Sequence, residues 1–251
     1  MSGARTDNVS DPALAAELLL ARRGQAFYSR KLNELRDEDF SGAALPHGWT
    51  RAHVAARVGF HARAITRLTE WAATGIETPM HASAAERDEE VRFGATLPVQ
   101  AIRNLSSHAA VHLNVEWRDL PADAWAQPVR LDDGREVPVS ETVWLRSREV
   151  WLRAVDLDNG ARTDQFPPEI IDRFLQDIVD VWARRSVAAA TSNIVLEPID
   201  RQHAFRVHAD HAPGLVVRGA AAELVAWGTG RGGRDVRAAG DAAAPTAPPW
   251  E

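Results

Sequence analysis

Ser140-Glu141-Thr142-Val143-Trp144-Leu145-Arg146-Ser147-Arg148-Glu149-Val150-Trp151-Leu152-Arg153-Ala154-Val155-Asp156-Leu157 reads as one amphipathic helix. Val143, Ser147, Val150, Ala154 and Leu157 recur at intervals of three and four, which places them on one helical face. Ser140 stands in the N-cap position, and Asp158-Asn159-Gly160 follows as a stop signal. Beside the apolar stripe lie Glu149 and Arg153, four residues apart, with Arg146 one turn earlier. Glu preceding Arg by four is the favoured orientation of a surface helix ion pair, and that is the plainest reading of the two.

Working outward, four further segments carry the same period. Asp11-Pro12 is an N-cap followed by proline at the first helical position, and the helix it opens runs to about residues 33–35. A second opens at Thr50 and closes at Gly75, with Val54, Val58, His61, Ile65, Leu68 and Ala72 on one face. Arg57 falls at the edge of that stripe, His61 in its middle and His53 on its flank. A buried arginine and histidine there must be satisfied, because leaving them unpaired is costly. They read either as a snorkelling Arg57 with a hydrogen-bonded core His61, or as the lining of a polar pocket. Ser83-x-x-Glu86 is a capping box for a short helix. Ile102, Leu105, Ala109, Leu113 and Glu116 mark another, over about 98–117. His108 and His112, spaced i and i+4, suit a metal from one helix face, but no third ligand is indicated.

Asp133-Gly134 sits between alternating segments as a hairpin turn. Pro167-Pro168 opens a helix through Ile171, Phe174, Ile178 and Val181 to about Arg185. After it the pattern shifts to short strands at 194–196, 205–207 and 215–217, with one helix over 220–227. Gly228-Thr229-Gly230-Arg231-Gly232-Gly233 follows a helix rather than a strand, so it is no Rossmann fingerprint. It reads as a helix exit that delivers Arg231, and with it Arg234, to a cleft between domains. The expected division is a disordered 1–10, a helical bundle domain over 11–188, a small α+β domain over 189–237, and an Ala/Pro-rich tail over 238–251 that need not pack as an element.

The 251 residues carry 29 basic and 35 acidic side chains, a net charge of −6 without a basic block, which argues against a nucleic-acid footprint. No apolar run is long enough to span a membrane. Glu17 breaks the early Ala13–Ala21 run, which is wrong for a signal peptide, so the expected address is the cytoplasm. No cysteine is present, which excludes disulfides, thiolate metal sites and a thiol nucleophile borne by the chain. Any thiol chemistry must use a borrowed thiol.

Gly48-Trp49-Thr50-Arg51-Ala52-His53-Val54-Ala55-Ala56, Glu77-Thr78-Pro79-Met80, the run from Ser140 to Trp151, Ala154-Val155-Asp156-Leu157 and Gly230-Arg231-Gly232 together resemble the mycothiol-dependent maleylpyruvate isomerase family. The resemblance covers nearly the whole chain. It implies a mainly α fold, a DinB-like four-helix bundle followed by a small α+β domain. It also implies cis–trans isomerisation of maleylpyruvate to fumarylpyruvate in actinobacterial gentisate degradation. In that chemistry mycothiol adds to the conjugated double bond, the resulting single bond rotates, and the thiol leaves. The implied partners are a small dicarboxylate substrate and the low-molecular-weight thiol, and the chain is expected to be a monomer.

The family further implies a divalent metal, usually zinc, on one histidine from the second helix and a Glu-x-x-x-His pair from the fourth. Glu149 matches, but the two histidine positions are Arg57 and Arg153 in this chain. Guanidinium offers no lone pair, so neither can be a ligand. Three expectations follow. Arg57, Glu149 and Arg153 form a metal-free cationic site; or Glu149 holds a shifted metal with His61 and His53; or the cluster replaces the metal structurally in an inactive binding relative. In the first, Glu149 and Arg153 leave the surface and join Arg57 in a buried triad. Arg231, Arg87 and His61 are the expected substrate- or thiol-binding residues. A mycothiol S-transferase on an electrophilic small molecule is the alternative activity.

Overall fold

The computed structural model describes residues 7–185, 193–208, 212, 214–238, 240 and 242–250. Within them the chain forms two compact units, Met1–Ala161 and Arg162–Glu251. The expected boundary near residue 188 lies outside the described residues, as does much of the expected disordered N-terminus. Residues 7–10 belong to the packed structure instead. Asp7 is clamped by both terminal nitrogens of Arg22 at 2.6 Å, and the Asn8 amide donates to the Arg118 carbonyl.

The first unit is a helical bundle built from α1 (Pro12–Glu34), α2 (Arg51–Thr74), α4 (Val99–Asp119) and α5 (Glu141–Asp156), with the shorter α3 (Ala84–Gly94) beside α2. α1 packs along α5, and α2 packs against both α4 and α5. Two of the expected side-chain caps form as read, whereas Ser140 makes no side-chain cap bond and its own backbone is already helical. The Asp11 side chain accepts from the Ala13 amide, with Pro12 behind it, and Ser83 accepts from the Glu86 amide. Gly75 closes α2 at φ +74°, a left-handed conformation that favours glycine. A hairpin, β1 (Pro128–Arg130) with β2 (Glu136–Pro138), pairs Val129 with Val137 around the turn.

The core runs along the bundle through Leu18, Ile65, Leu68, Leu113, Trp117 and Val143, all buried. Gly24 on α1 lets α5 approach closely: a Cβ there would lie 2.6 Å from Trp151 Nε1 and 2.7 Å from Val150 Cγ2. Gly24→Ala gains about 1 kcal/mol of helix propensity and loses about 1–3 kcal/mol to overpacking. A lower urea midpoint is expected; a raised midpoint would mean that Trp151 swings aside at little cost.

The second unit holds α6 (Pro168–Arg185) and α7 (Ala221–Gly228), which pack on each other. α6 therefore groups with this unit rather than with the bundle. Its sheet has the order β4-β3-β5-β6, built from β3 (Ile194–Pro198), β4 (Phe205–Arg206), β5 (Leu215–Gly219) and β6 (Arg237–Ala238). β3 and β5 are parallel and the outer strands antiparallel, and β6 was not expected from the sequence. The Ala/Pro-rich tail packs against this unit. Trp182 and Trp227 donate to the carbonyls of Pro248 and Pro245, and Trp250 is buried against Phe174. Among the described residues no helix is long and apolar enough to cross a membrane.

Candidate functional site

A polar cluster interrupts the apolar bundle where α1, α2 and α5 face one another. Glu149 projects from α5, and its side chain is 7% exposed. One of its oxygens, Oε1, accepts from Arg57 Nε at 3.2 Å across the helices and from Arg153 Nε at 3.2 Å along its own helix. The i, i+4 pair read as a surface feature is thus buried, and Arg57 completes the triad. Arg153 is held further by Asp156, whose Oδ2 accepts from Nη1 at 2.6 Å, and its guanidinium lies 5.7 Å from the centre of the Trp49 ring.

One turn earlier on α5, Arg146 points the same way and is fully enclosed. Its Nη1 donates to the Val58 carbonyl at 2.8 Å and approaches His61 Nδ1 at 3.5 Å, while Nη2 donates to Gln25 Oε1 at 2.7 Å. Burial pulls Arg146 down to about 10, so it remains a cation at neutral pH. Burial works against the Glu149 carboxylate too, but the adjacent guanidinium groups of Arg153 and Arg57 outweigh it and hold its pKa well below the usual range. Tyr28 of α1, fully buried, is pushed above the ordinary phenol range chiefly by burial and stays protonated. Arg57, Arg146 and Arg153 set three guanidinium groups against the carboxylates of Glu149 and Asp156, a surplus of positive charge among these five mostly buried side chains.

His61 is buried, and desolvation holds its pKa well below 6.5, Glu149 opposing and Arg146, Arg57 and Arg148 assisting. A histidine with a depressed folded pKa contributes stability above its unfolded value, and that stability is lost as pH falls below it. Below about pH 6.5 the bundle should lose about 1.4 kcal/mol per pH unit through His61. His61→Gln is expected to flatten the denaturation-midpoint profile between pH 7.5 and 5.5. An unchanged slope would assign the proton uptake to other groups.

The other expected site residues have contacts of their own. His53 caps α2, its Nδ1 meeting the Thr50 amide at 3.2 Å and hydroxyl at 2.8 Å. Arg87 on α3 pairs with Asp88 at 3.0 Å and Asp132 at 3.6 Å. Arg231 belongs to the second unit, with Nη1 donating to the Thr229 carbonyl. His108 and His112 are exposed on α4, and His112 faces Glu116 at 3.3 Å. The sequence reading missed Gln25, Tyr28, Trp49 and Asp156. Of these only Asp156, three residues beyond Arg153 on the same helix, carried a local signal.

The donor set does not fit a metal ion. The central carboxylate oxygen is taken by two guanidinium groups, which have no lone pair to give. Among the described residues no three His, Asp or Glu side chains are grouped to hold a metal.

A family model described as the mycothiol maleylpyruvate isomerase N-terminal domain matches residues 21–158, the span that contains the cluster. Two solved structures are similar in fold and sequence: the crystal structure of the mycothiol-dependent maleylpyruvate isomerase, and that of a histidine-to-alanine mutant of such an isomerase. Each has a TM-score of 0.88 and 38% identity, covering 94% of this chain and 97% of the other. No curated protein matches. With more than half of its length on the family model and nearly all of it on the solved isomerases, the chain belongs to the mycothiol maleylpyruvate isomerase family.

Proposed function

We propose that this protein is a mycothiol-dependent cis–trans isomerase of a small unsaturated dicarboxylate of the maleylpyruvate type, and that it works without a metal. The observation that carries this reading is the surplus of guanidinium charge around Glu149 inside a bundle of the isomerase family. Positive charge in a dry site lowers the pKa of an incoming thiol and stabilises the enolate formed when the thiolate adds to the conjugated double bond. The former double bond is then a single bond and rotates. Collapse of the enolate restores the double bond in the trans form and expels the thiolate, so thiol and substrate atoms balance without oxidant or reductant. Glu149 is held ionised and orients the guanidinium groups; a carboxylate so acidic is a poor proton acceptor.

Arg87 and Arg231 are proposed as further carboxylate or thiol binders, and Arg231→Ala should raise KM or lower kcat/KM. The test of the activity is turnover of maleylpyruvate with mycothiol, with free thiol followed alongside. Product accumulating at constant thiol concentration is the expected result. One thiol consumed per turnover would make the protein an S-transferase, and no turnover would make it a binding relative. Cytoplasmic location and a monomeric state complete the proposal.

A further inference from the structure

The three guanidinium groups around Glu149 are not held alike. Arg153 gives Nε to Glu149 and Nη1 to Asp156. Arg146 gives both terminal nitrogens to oxygens of α2 and α1. Arg57 gives only Nε, and among the described residues nothing accepts from its Nη1 or Nη2. Its side chain is 21% exposed, against 7% for Glu149 and 5% for Arg153. The cluster therefore holds one guanidinium end without a protein acceptor, on the most exposed side chain of an otherwise buried network.

Such an end presents two parallel N–H donors, which match the two oxygens of a carboxylate; a thiolate sulfur offers a single point of contact. Glu149 fixes the orientation of Arg57 through Nε, and Arg153, locked at both of its ends, fixes Glu149. The surplus positive charge draws an anion and repels a cation. We propose that the bundle interior is a metal-independent carboxylate-binding site in which the free end of Arg57 grips one carboxylate of the substrate, with Arg153 as the positioning residue behind it. The inference rests on the isomerase reading of this site and deepens it by naming the residue that meets the substrate and the group it holds.

The probe is maleate, a stable cis dicarboxylate, titrated calorimetrically into the full chain without thiol. The protein is first dialysed against chelator, and its metal content is measured by elemental mass spectrometry. Maleate is expected to bind with metal far below one ion per chain. Arg57→Lys, which keeps the charge but loses the two-pronged end, should weaken binding about tenfold, and Arg57→Gln should weaken it more. An unchanged melting temperature for Arg57→Lys would show that the bundle is intact. Affinity unaltered by both substitutions, no maleate binding at all, or binding only after zinc is restored would each overturn the inference. Turnover is read separately. Arg57-dependent maleate binding in a chain that isomerises nothing supports the inference and sinks the isomerase reading; turnover with maleate affinity untouched by Arg57→Gln does the reverse.

Discussion

Glu149→Gln should lower the stability of the bundle unit by about 3–5 kcal/mol at neutral pH, because removing one member of a buried charged network leaves its partners uncompensated. In a chain of this size that is a fall of roughly ten degrees in melting temperature. The burden falls on Arg153, which is buried and bridges the carboxylates of Glu149 and Asp156. Arg57→Gln should cost much less, about 1 kcal/mol, since Glu149 retains Arg153 and Arg57 is partly solvated. Measuring both by urea denaturation checks the asymmetry; equal losses would mean that Arg57, not Arg153, is the structural partner. The pH dependence has a definite sign. Glu149 titrates lower in the folded than in the unfolded chain. Its contribution is therefore present above about pH 4.5 and drains away as pH falls through the folded value. Wild-type protein should lose its advantage over Glu149→Gln in that acid range.

The second large effect belongs to the other unit. Trp250→Ala should destabilise the C-terminal unit by about 3–5 kcal/mol, the usual cost of emptying a buried aromatic site. Trp250 is 5% exposed, meets Phe174 edge-on at 6.1 Å between ring centres, and donates from Nε1 to Asp177 at 3.1 Å. The prolines before it accept from Trp182 and Trp227, so the substitution should also loosen the contacts at Pro245 and Pro248. Fluorescence-detected unfolding would report the loss. A change below about 1 kcal/mol would mean that the tail rests on the unit without stabilising it.

The tail also shows where local sequence patterns stop informing. Ala and Pro give it no period of 3.6 or 2, so nothing local announces that Trp250 fills a distant hydrophobic gap on α6. α2 is the opposite case. Thr50, the spaced apolar face and Gly75 each act within a turn or two, and the observed helix begins and ends where they place it. α5 lies between these extremes. Its extent was legible, but twelve of its sixteen residues are buried because α1 and α2 cover it on two sides. A period finds one apolar stripe and does not count neighbours, so Glu149 and Arg153 looked like a surface pair. The resemblance to the isomerase family brought Arg57 to the same place. Arg146 reaching Gln25 and Val58 depends on helix packing alone and left no trace in the sequence.

The proposed mechanism is thiol-dependent isomerisation in this bundle, supported by guanidinium groups in place of a metal. The most direct measurement is maleylpyruvate turnover with added mycothiol, before and after exhaustive chelation, on untagged protein whose metal content is known. The expected result is isomerisation that survives chelation, with substoichiometric metal and no net loss of thiol. About one zinc per chain, with activity abolished on its removal and restored on its return, would contradict it.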